Sequence, residues 1–363
     1  MDTKDLSSLS PKNNPYLIGH AESESLIIDL YNKDKLNNTW LISGCSGIGK
    51  ATLAYRIIRY ILTQDSPQTN PNNKNGDGPL YVERTSEIFL KVVSSSHPNL
   101  LVVDGSANEE KDPLAEKIKI EEIRKVNNFL RMTSGQEGYK IVFIDNIDLM
   151  NKNAANALLK IIEEPPKKSL IILTTSFLSR ILPTIRSRSR IIKVKPLNLN
   201  NFTKVINLTK AHLDDEFLSY LYELTSGSPG RALDIIKNDG IDIHKRIKKF
   251  IFHLTEDNSS EIQEIVNTAP KETFEKQYVS IFQLLSFFLN KALKFNFSVQ
   301  TESPVGKDEK NFYVKLLKKF SIIEILRIKE KIESLYAKSL SLNLNKKQII
   351  LSSILLLKNS KKI

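Results

Sequence analysis

The sequence predicts an α/β fold followed by all-helical parts, and three observations carry that prediction. Four short apolar runs in the first half, TWLIS (39–43), LLVVD (100–104), KIVFID (140–145) and SLIILTT (169–175), have the length and composition of buried strands. Helical spacing lies between them, the alternation that builds a mostly parallel sheet with helices on its faces. From Pro196 onward the strand signals fade and helical patterns take over. The chain has 363 residues, more than the roughly 250 to 300 that one hydrophobic core fills. Domains are therefore expected at 1–195, 196–240 and 241–363.

The first strand runs into GCSGIGKAT, 44–52. Gly44 and Gly49 frame a G-x-x-x-x-G-K spacing that Lys50 completes, with Gly47 inside it. Such glycines let the backbone turn so that its N–H groups face phosphate oxygens, and a helix starting near Lys50 adds its positive end. The motif stands where it must, after a strand and before a helix, which separates it from a glycine turn with a surface lysine. The next residue should carry a hydroxyl for magnesium, yet it is Ala51. Thr52 comes one place late, turned about 100° around the helix, and is a poor substitute. In the helix that follows, Leu53, Ile57, Tyr60 and Ile61 fall on one face.

The stretch DSPQTNPNNKNGDG, 65–78, is too rich in Pro, Asn and Gly to bury a core and reads as a mobile surface insertion. After the second strand, Ile120, Ile123, Val126, Phe129 and Leu130 mark a helix with an apolar stripe. The third strand closes on Asp145, the place of the carboxylate that holds magnesium directly or through water. Many ATPases of this design place Glu next as the base for the attacking water; here Asn146 stands there and accepts no proton. Asp148 points elsewhere and is no replacement. Losing a general base alone lowers a rate by about a hundredfold to ten-thousandfold. The pocket is thus expected to hold ATP or ADP, with magnesium if any metal, and to turn it over poorly or not at all.

The helix in NKNAANALLKIIEE, 151–164, is stopped by Pro165 and Pro166. Beyond the fourth strand, LPTIRSRSR (182–190) carries arginines at alternate positions. They read either as a plain basic patch or, at Arg188, as an arginine finger acting on phosphoryl-transfer charge in a neighbouring subunit. GSPGRAL, 227–233, opens a helix with Ser228 as N-cap and Pro229 first. Arg231 then lies in the first turn, facing a phosphate or solvated. Near the end, Ser321 with Glu324 has capping-box spacing before Ile325, Ile328, Ile332 and Leu335, and Asn345 with Gln348 repeats the device. This helical part is an assembly surface on one reading and an ordinary core on the other.

Composition adds limits. The 53 basic and 41 acidic residues leave a net charge of +12, which suits a polyanionic partner and equally a solvated basic surface. No aromatic and basic recognition strip accompanies the charge, so base-specific readout is not expected, and any DNA contact is expected at the backbone. The single cysteine, Cys45, makes no internal disulfide and no four-thiolate zinc site. His20 and His97 have no second histidine at metal spacing and read as structural. With no apolar leader and no run of about 18 apolar residues, a cytoplasmic protein is expected.

In order, GHAESE, WLISGCSGIGKATLAYR, SHPNLLVVDG, KIVFIDNIDLMNKNAANALLKIIEEPP, LPTIRSRSR and SGSPGRAL resemble the bacterial clamp-loader AAA+ family of DNA polymerase III, most closely its delta-prime branch. The likeness covers most of residues 19 to 235. It implies a RecA-like AAA+ module, a small helical lid and a helical collar holding subunits in a ring. It further implies partners: gamma/tau-like and delta-like subunits, the sliding clamp and primed DNA, with no membrane. The family's Ser-Arg-Cys finger reads Ser187-Arg188-Ser189 here. Within the family, Ala51 and Asn146 suit the delta-prime stator better than a gamma/tau motor. Some members carry a four-cysteine zinc module after the loop helix; this chain lacks the cysteines, so no zinc is expected.

Overall fold

The computed structural model describes residues 10–65, 78–104, 118–132, 138–208, 213, 215–237, 245, 271–297, 307–341 and 344–359. Most of the insertion expected at 65–78, and the domain boundary expected near 240, lie outside these. The chain divides into two compact units, Met1–Ala232 and Leu233–Ile363.

In the first unit, the four expected strands form with the predicted limits: β1 Thr39–Ser43, β2 Leu100–Asp104, β3 Lys140–Asp145 and β4 Ser169–Thr175. A fifth, β5 Arg190–Lys193, is too short and charged to announce itself by pattern. The sheet order is β2-β3-β4-β1-β5 and every pairing is parallel. All strand C-termini therefore share one edge, where ligands bind in open α/β sheets. Register brings Ser43 beside Thr175 and Asp104 beside Asp145 on that edge.

Helices cover the sheet: α1 Ala21–Asn32, α2 Lys50–Gln64, α3 Glu87–Val93, α4 Ile120–Arg131, α5 Lys152–Glu163 and α6 Pro183–Arg188. α4 and α5 lay Ile123, Val126, Leu158 and Ile161 against Leu41, Val142, Ile144, Ile171 and Leu173. Asn151 caps α5 by accepting from the Ala154 N–H at 2.8 Å, and the helix ends before the two prolines, as expected.

Helix α2 departs from the expected single apolar face. Residues on all sides of it are buried, including Arg56 and Arg59 at 0% and 1% exposure. Tyr55 meets Phe143 edge to face at 5.1 Å, and the two arginines hold the segment before α1. A helix buried all round is a central one, and here it carries the glycine loop. Three further helices, α7 Leu199–Asn207, α8 Asp215–Thr225 and α9 Pro229–Lys237, follow.

The second unit contains α10 Lys271–Phe297, α11 Lys307–Lys319, α12 Ile322–Ser341 and α13 Lys346–Asn359. The capping box forms: the Ser321 N–H donates to Glu324 at 2.7 Å and the Glu324 N–H to Ser321 Oγ at 3.3 Å. Ile325, Ile328 and Ile332 are buried as the periodicity requires. Tyr336 stacks on Phe282 at 5.0 Å, and the Tyr278 hydroxyl donates to Ser339 Oγ at 2.6 Å, so part of α12's polar surface is internal. Among the described residues no helix is long and apolar enough to cross a membrane.

Candidate nucleotide site

The loop after β1 is built by backbone conformations that side chains resist. Gly47 and Gly49 take φ of 75° and 105°, in the left-handed region. The Gly44 N–H donates to Thr175 O at 3.2 Å, and a Cβ on Gly44 would lie 2.6 Å from Val194 O. Lys50, first residue of α2, bends back under the loop. Its ammonium donates to Gly44 O at 2.8 Å, Cys45 O at 2.9 Å and Ser176 Oγ at 3.1 Å. An ammonium has three protons, so Lys50 is fully engaged, and it can meet a phosphate only by releasing one partner.

Asp145 ends β3 with its carboxylate accepting from Thr174 Oγ at 2.5 Å. The Asn146 N–H donates to the same hydroxyl at 2.8 Å. Burial pushes the Asp145 carboxyl up, with Asp104 adding to it, while Thr174, Lys50 and the Asn146 N–H oppose. Burial likewise pulls Lys50 down although Asp145 draws it up. Burial outweighs the mutual attraction in both, because desolvating each charge costs more than their interaction returns.

Asn146 has φ of 56°, a left-handed conformation that Asn tolerates better than most residues. The residue where a base would be expected is thus also a backbone bend. Asp148 is fixed otherwise: it accepts from Thr175 Oγ at 2.7 Å and the Ser176 N–H at 2.6 Å. It holds the end of β4.

These residues fit a phosphate better than a magnesium ion. The loop amides, with Lys50 once it releases a partner, would supply the donors a phosphate needs. A metal would find no hydroxyl at Ala51, a buried Thr52 at 7% exposure, and an Asp145 already bonded to Thr174. Among the described residues no cluster of three His, Cys, Asp or Glu side chains is placed to hold a metal.

Three further residues brace the loop without having been singled out for it. His20 Nε2 lies 3.3 Å from Ile48 O, and burial lowers the His20 pKa against that hydrogen bond. Ser228 and Gly230 reach the loop from the start of α9: Ser228 Oγ donates to Ser46 O at 2.7 Å, and the Gly230 N–H to Gly47 O at 2.8 Å. Ser228 occupies the expected cap position, but the proton of its hydroxyl goes to the loop. A glycine in the first turn of a helix was the available signal, since Gly is a poor helix residue without a packing reason. Arg231 comes with them, its backbone against the Gly47 position.

Arg188 lies apart from these contacts, at the end of α6. Its Nη2 meets Glu163 Oε1 at 3.0 Å, with the two side chains 42% and 46% exposed, and its Nη1 donates to Thr184 O at 3.3 Å. The structure joins Gly44, Gly47, Gly49, Lys50 and Arg231 around one loop and leaves Arg188 on the surface.

Residues 19–198 match the family described as DNA polymerase III, delta subunit. That segment is similar to the clamp-loader subunits of DNA polymerase III. DNA polymerase III subunit gamma of Buchnera aphidicola subsp. Schizaphis graminum (strain Sg) is 25% identical over 63% of this chain and 58% of its own. DNA polymerase III subunit delta' of Escherichia coli (strain K12) is 27% identical over 59% of this chain and 58% of its own. The chain thus spans a little over half the length of these curated relatives. A solved structure, a gamma subunit-related protein of Thermotoga maritima, is 17% identical over 93% of this chain and 99% of that one, with a TM-score of 0.41, too loose a likeness to argue from. Delta-prime and gamma names both occur among the relatives of this segment.

Proposed function

We propose that this chain is a delta-prime-like clamp-loader subunit, a stator that helps load the sliding clamp onto primed DNA and donates Arg188 to a neighbouring ATPase subunit. The observation that carries this reading is a contrast between two sites. The chain's own pocket has Ala51 and Asn146 where a metal hydroxyl and a base belong, and its Lys50 is saturated by its own chain. Arg188, by contrast, is half-exposed with an exposed carboxylate as its ionic partner. ATP or ADP bound to this loop serves to hold shape rather than as fuel. The partners of this reading are gamma/tau-like and delta-like subunits, the clamp, and primed DNA met through its backbone.

The test is a loader reconstituted from purified subunits with Arg188→Ala in this chain alone. An arginine finger is worth about a thousandfold to a hundred-thousandfold at the site it completes. Loss of DNA-stimulated ATP turnover at one site, with clamp loading impaired, is the expected result; unchanged rates remove the trans role.

A second reading, an active gamma/tau-like motor, is favoured by the intact Gly44, Gly49, Lys50 and Asp145 and by the gamma relatives. It requires the isolated chain to hydrolyse ATP, and Lys50→Ala to abolish that turnover. Turnover at background level, indifferent to Lys50→Ala, rejects it.

A further inference from the structure

The start of α9 is joined to the phosphate loop by direct backbone contact. A Cβ on Gly47 would lie 2.6 Å from Arg231 N and 2.8 Å from Ser228 Oγ, and one on Gly230 would lie 2.6 Å from Gly47 Cα and 2.7 Å from Gly47 O. Neither position has room for a side chain. Two hydrogen bonds cross the contact, Gly230 N–H to Gly47 O at 2.8 Å and Ser228 Oγ to Ser46 O at 2.7 Å. Ser228 is fully buried, so its hydroxyl has no water to fall back on. Both acceptors are loop carbonyls. Tying carbonyls to α9 on one side of the loop restricts the rotation of its peptide units, which is what keeps neighbouring N–H groups aimed at an anion.

The same segment is fixed at its other side. The Leu197 N–H donates to Gly227 O at 3.2 Å, and a Cβ on Gly227, φ 72°, would lie 2.5 Å from Leu197 O. Close to it, the Val194 N–H donates to Ser43 O at 2.7 Å at the base of the loop. The turn from Gly227 to Arg231 is therefore anchored both to the loop tip and to the strand exit beside it.

We propose that Ser228 and Gly230 are positioning residues of the phosphate loop, a clasp that fixes the first turn of α9 to the loop whether or not nucleotide is bound. In this design the loop and the α9 turn shift together, and nucleotide binding does not re-aim one against the other. This inference needs only the loop geometry and does not depend on Arg188 acting in trans.

The test is hydrogen exchange on the full chain, read at residues 227–232 without nucleotide, with ADP and with ATP, and repeated on Gly230→Ala and Ser228→Ala. The wild-type Gly230 amide is expected to be protected to the same degree in all three conditions. Each variant is expected to lose protection there by about tenfold or more, the ratio set by one or two hydrogen bonds of ordinary net strength, while the β3 amides stay protected. Gly230→Ala also carries a built-in control for folding. In a helix turn without the clasp this change raises the melting temperature, because Ala is the better helix former; with the clasp it lowers it. Protection that appears only on adding ADP or ATP, or a Gly230→Ala protein that melts higher with its 227–232 protection intact, overturns the proposal.

Discussion

Three arginines of the first unit show how differently one side chain is used. Arg56 and Arg59, both on α2, are 0% and 1% exposed. Arg56 pairs with buried Glu24 at 2.5 Å and donates to Pro15 O; Arg59 donates to Lys12 O at 3.1 Å and Asn14 O at 2.7 Å and lies 4.5 Å from the Phe89 ring centroid. Burial pulls the Arg59 guanidinium down to about 9, with Arg56 beside it adding to the fall. Arg188 keeps over a third of its surface and a 3.0 Å contact to an equally open Glu163. The same fixed fork thus ties distant backbone carbonyls together when it is buried and stays a solvent-facing charge when it is not, and the surroundings decide which.

The largest effect is expected where that contrast is broken from the inside. Glu24→Ala leaves Arg56 charged and buried without its carboxylate, a change worth about 3–5 kcal/mol. Set against total stabilities of about 5–15 kcal/mol, it removes roughly a fifth or more. Urea unfolding of the full chain measures it as a lower midpoint of the first transition. A double variant, Glu24→Leu with Arg56→Met, is expected to recover much of the loss, because an apolar pair needs no desolvation. If Glu24→Ala matches wild type, the strap is not a structural one.

The strands and the loop were legible because burial and glycine geometry write themselves into local sequence: β1 to β4 are apolar runs and Gly49 precedes a lysine. What was not legible is what depends on distant partners. Arg56 and Arg59 look like solvent-facing residues on a striped helix until Glu24, Pro15, Lys12 and Asn14 are brought against them. Ser228 stands where a cap is expected, and only the fold shows that its hydroxyl also donates to Ser46 O, 182 positions away in sequence. β5 escaped notice because an edge strand of four residues with charged ends has no apolar signature. Within the site, Asn146 was read as a missing base from chemistry alone; its φ of 56° adds a conformational reason that sequence order does not display.

A smaller effect follows from His20, which sits under the loop on the buried side of the comparison. Burial lowers its pKa from the ordinary 6.5, so the folded protein binds this proton less readily than the unfolded chain does. Stability from a neutral His20 is then complete above about 6.5 and falls as the pH drops below it toward the folded value. His97, lowered by burial and by Lys91, adds in the same sense. The raised carboxyls of Asp145 and Glu24 act oppositely at lower pH, so the informative quantity is a difference. Between pH 7.5 and 5.5 (roughly the titration range of histidine), wild type should lose stability relative to His20→Gln. Parallel pH curves for the two proteins would mean that His20 is not held neutral.

The smallest effect is expected on the outer arginine. An ion pair this exposed contributes about 0–1 kcal/mol and is screened by salt. Glu163→Gln should therefore leave the melting temperature of the isolated chain nearly unchanged, and Arg188→Ala should do the same. A residue that matters little to its own fold can be lost without unfolding the chain, so a defect in the assembled loader would then report on its contacts with other chains. The informative experiment pairs the two measurements on one protein: Arg188→Ala with wild-type stability and a failed reconstituted loader places its role outside the chain. A large loss of stability in the isolated chain would instead class Arg188 with Arg56, as a strut, and the distinction between inward and outward arginines would collapse.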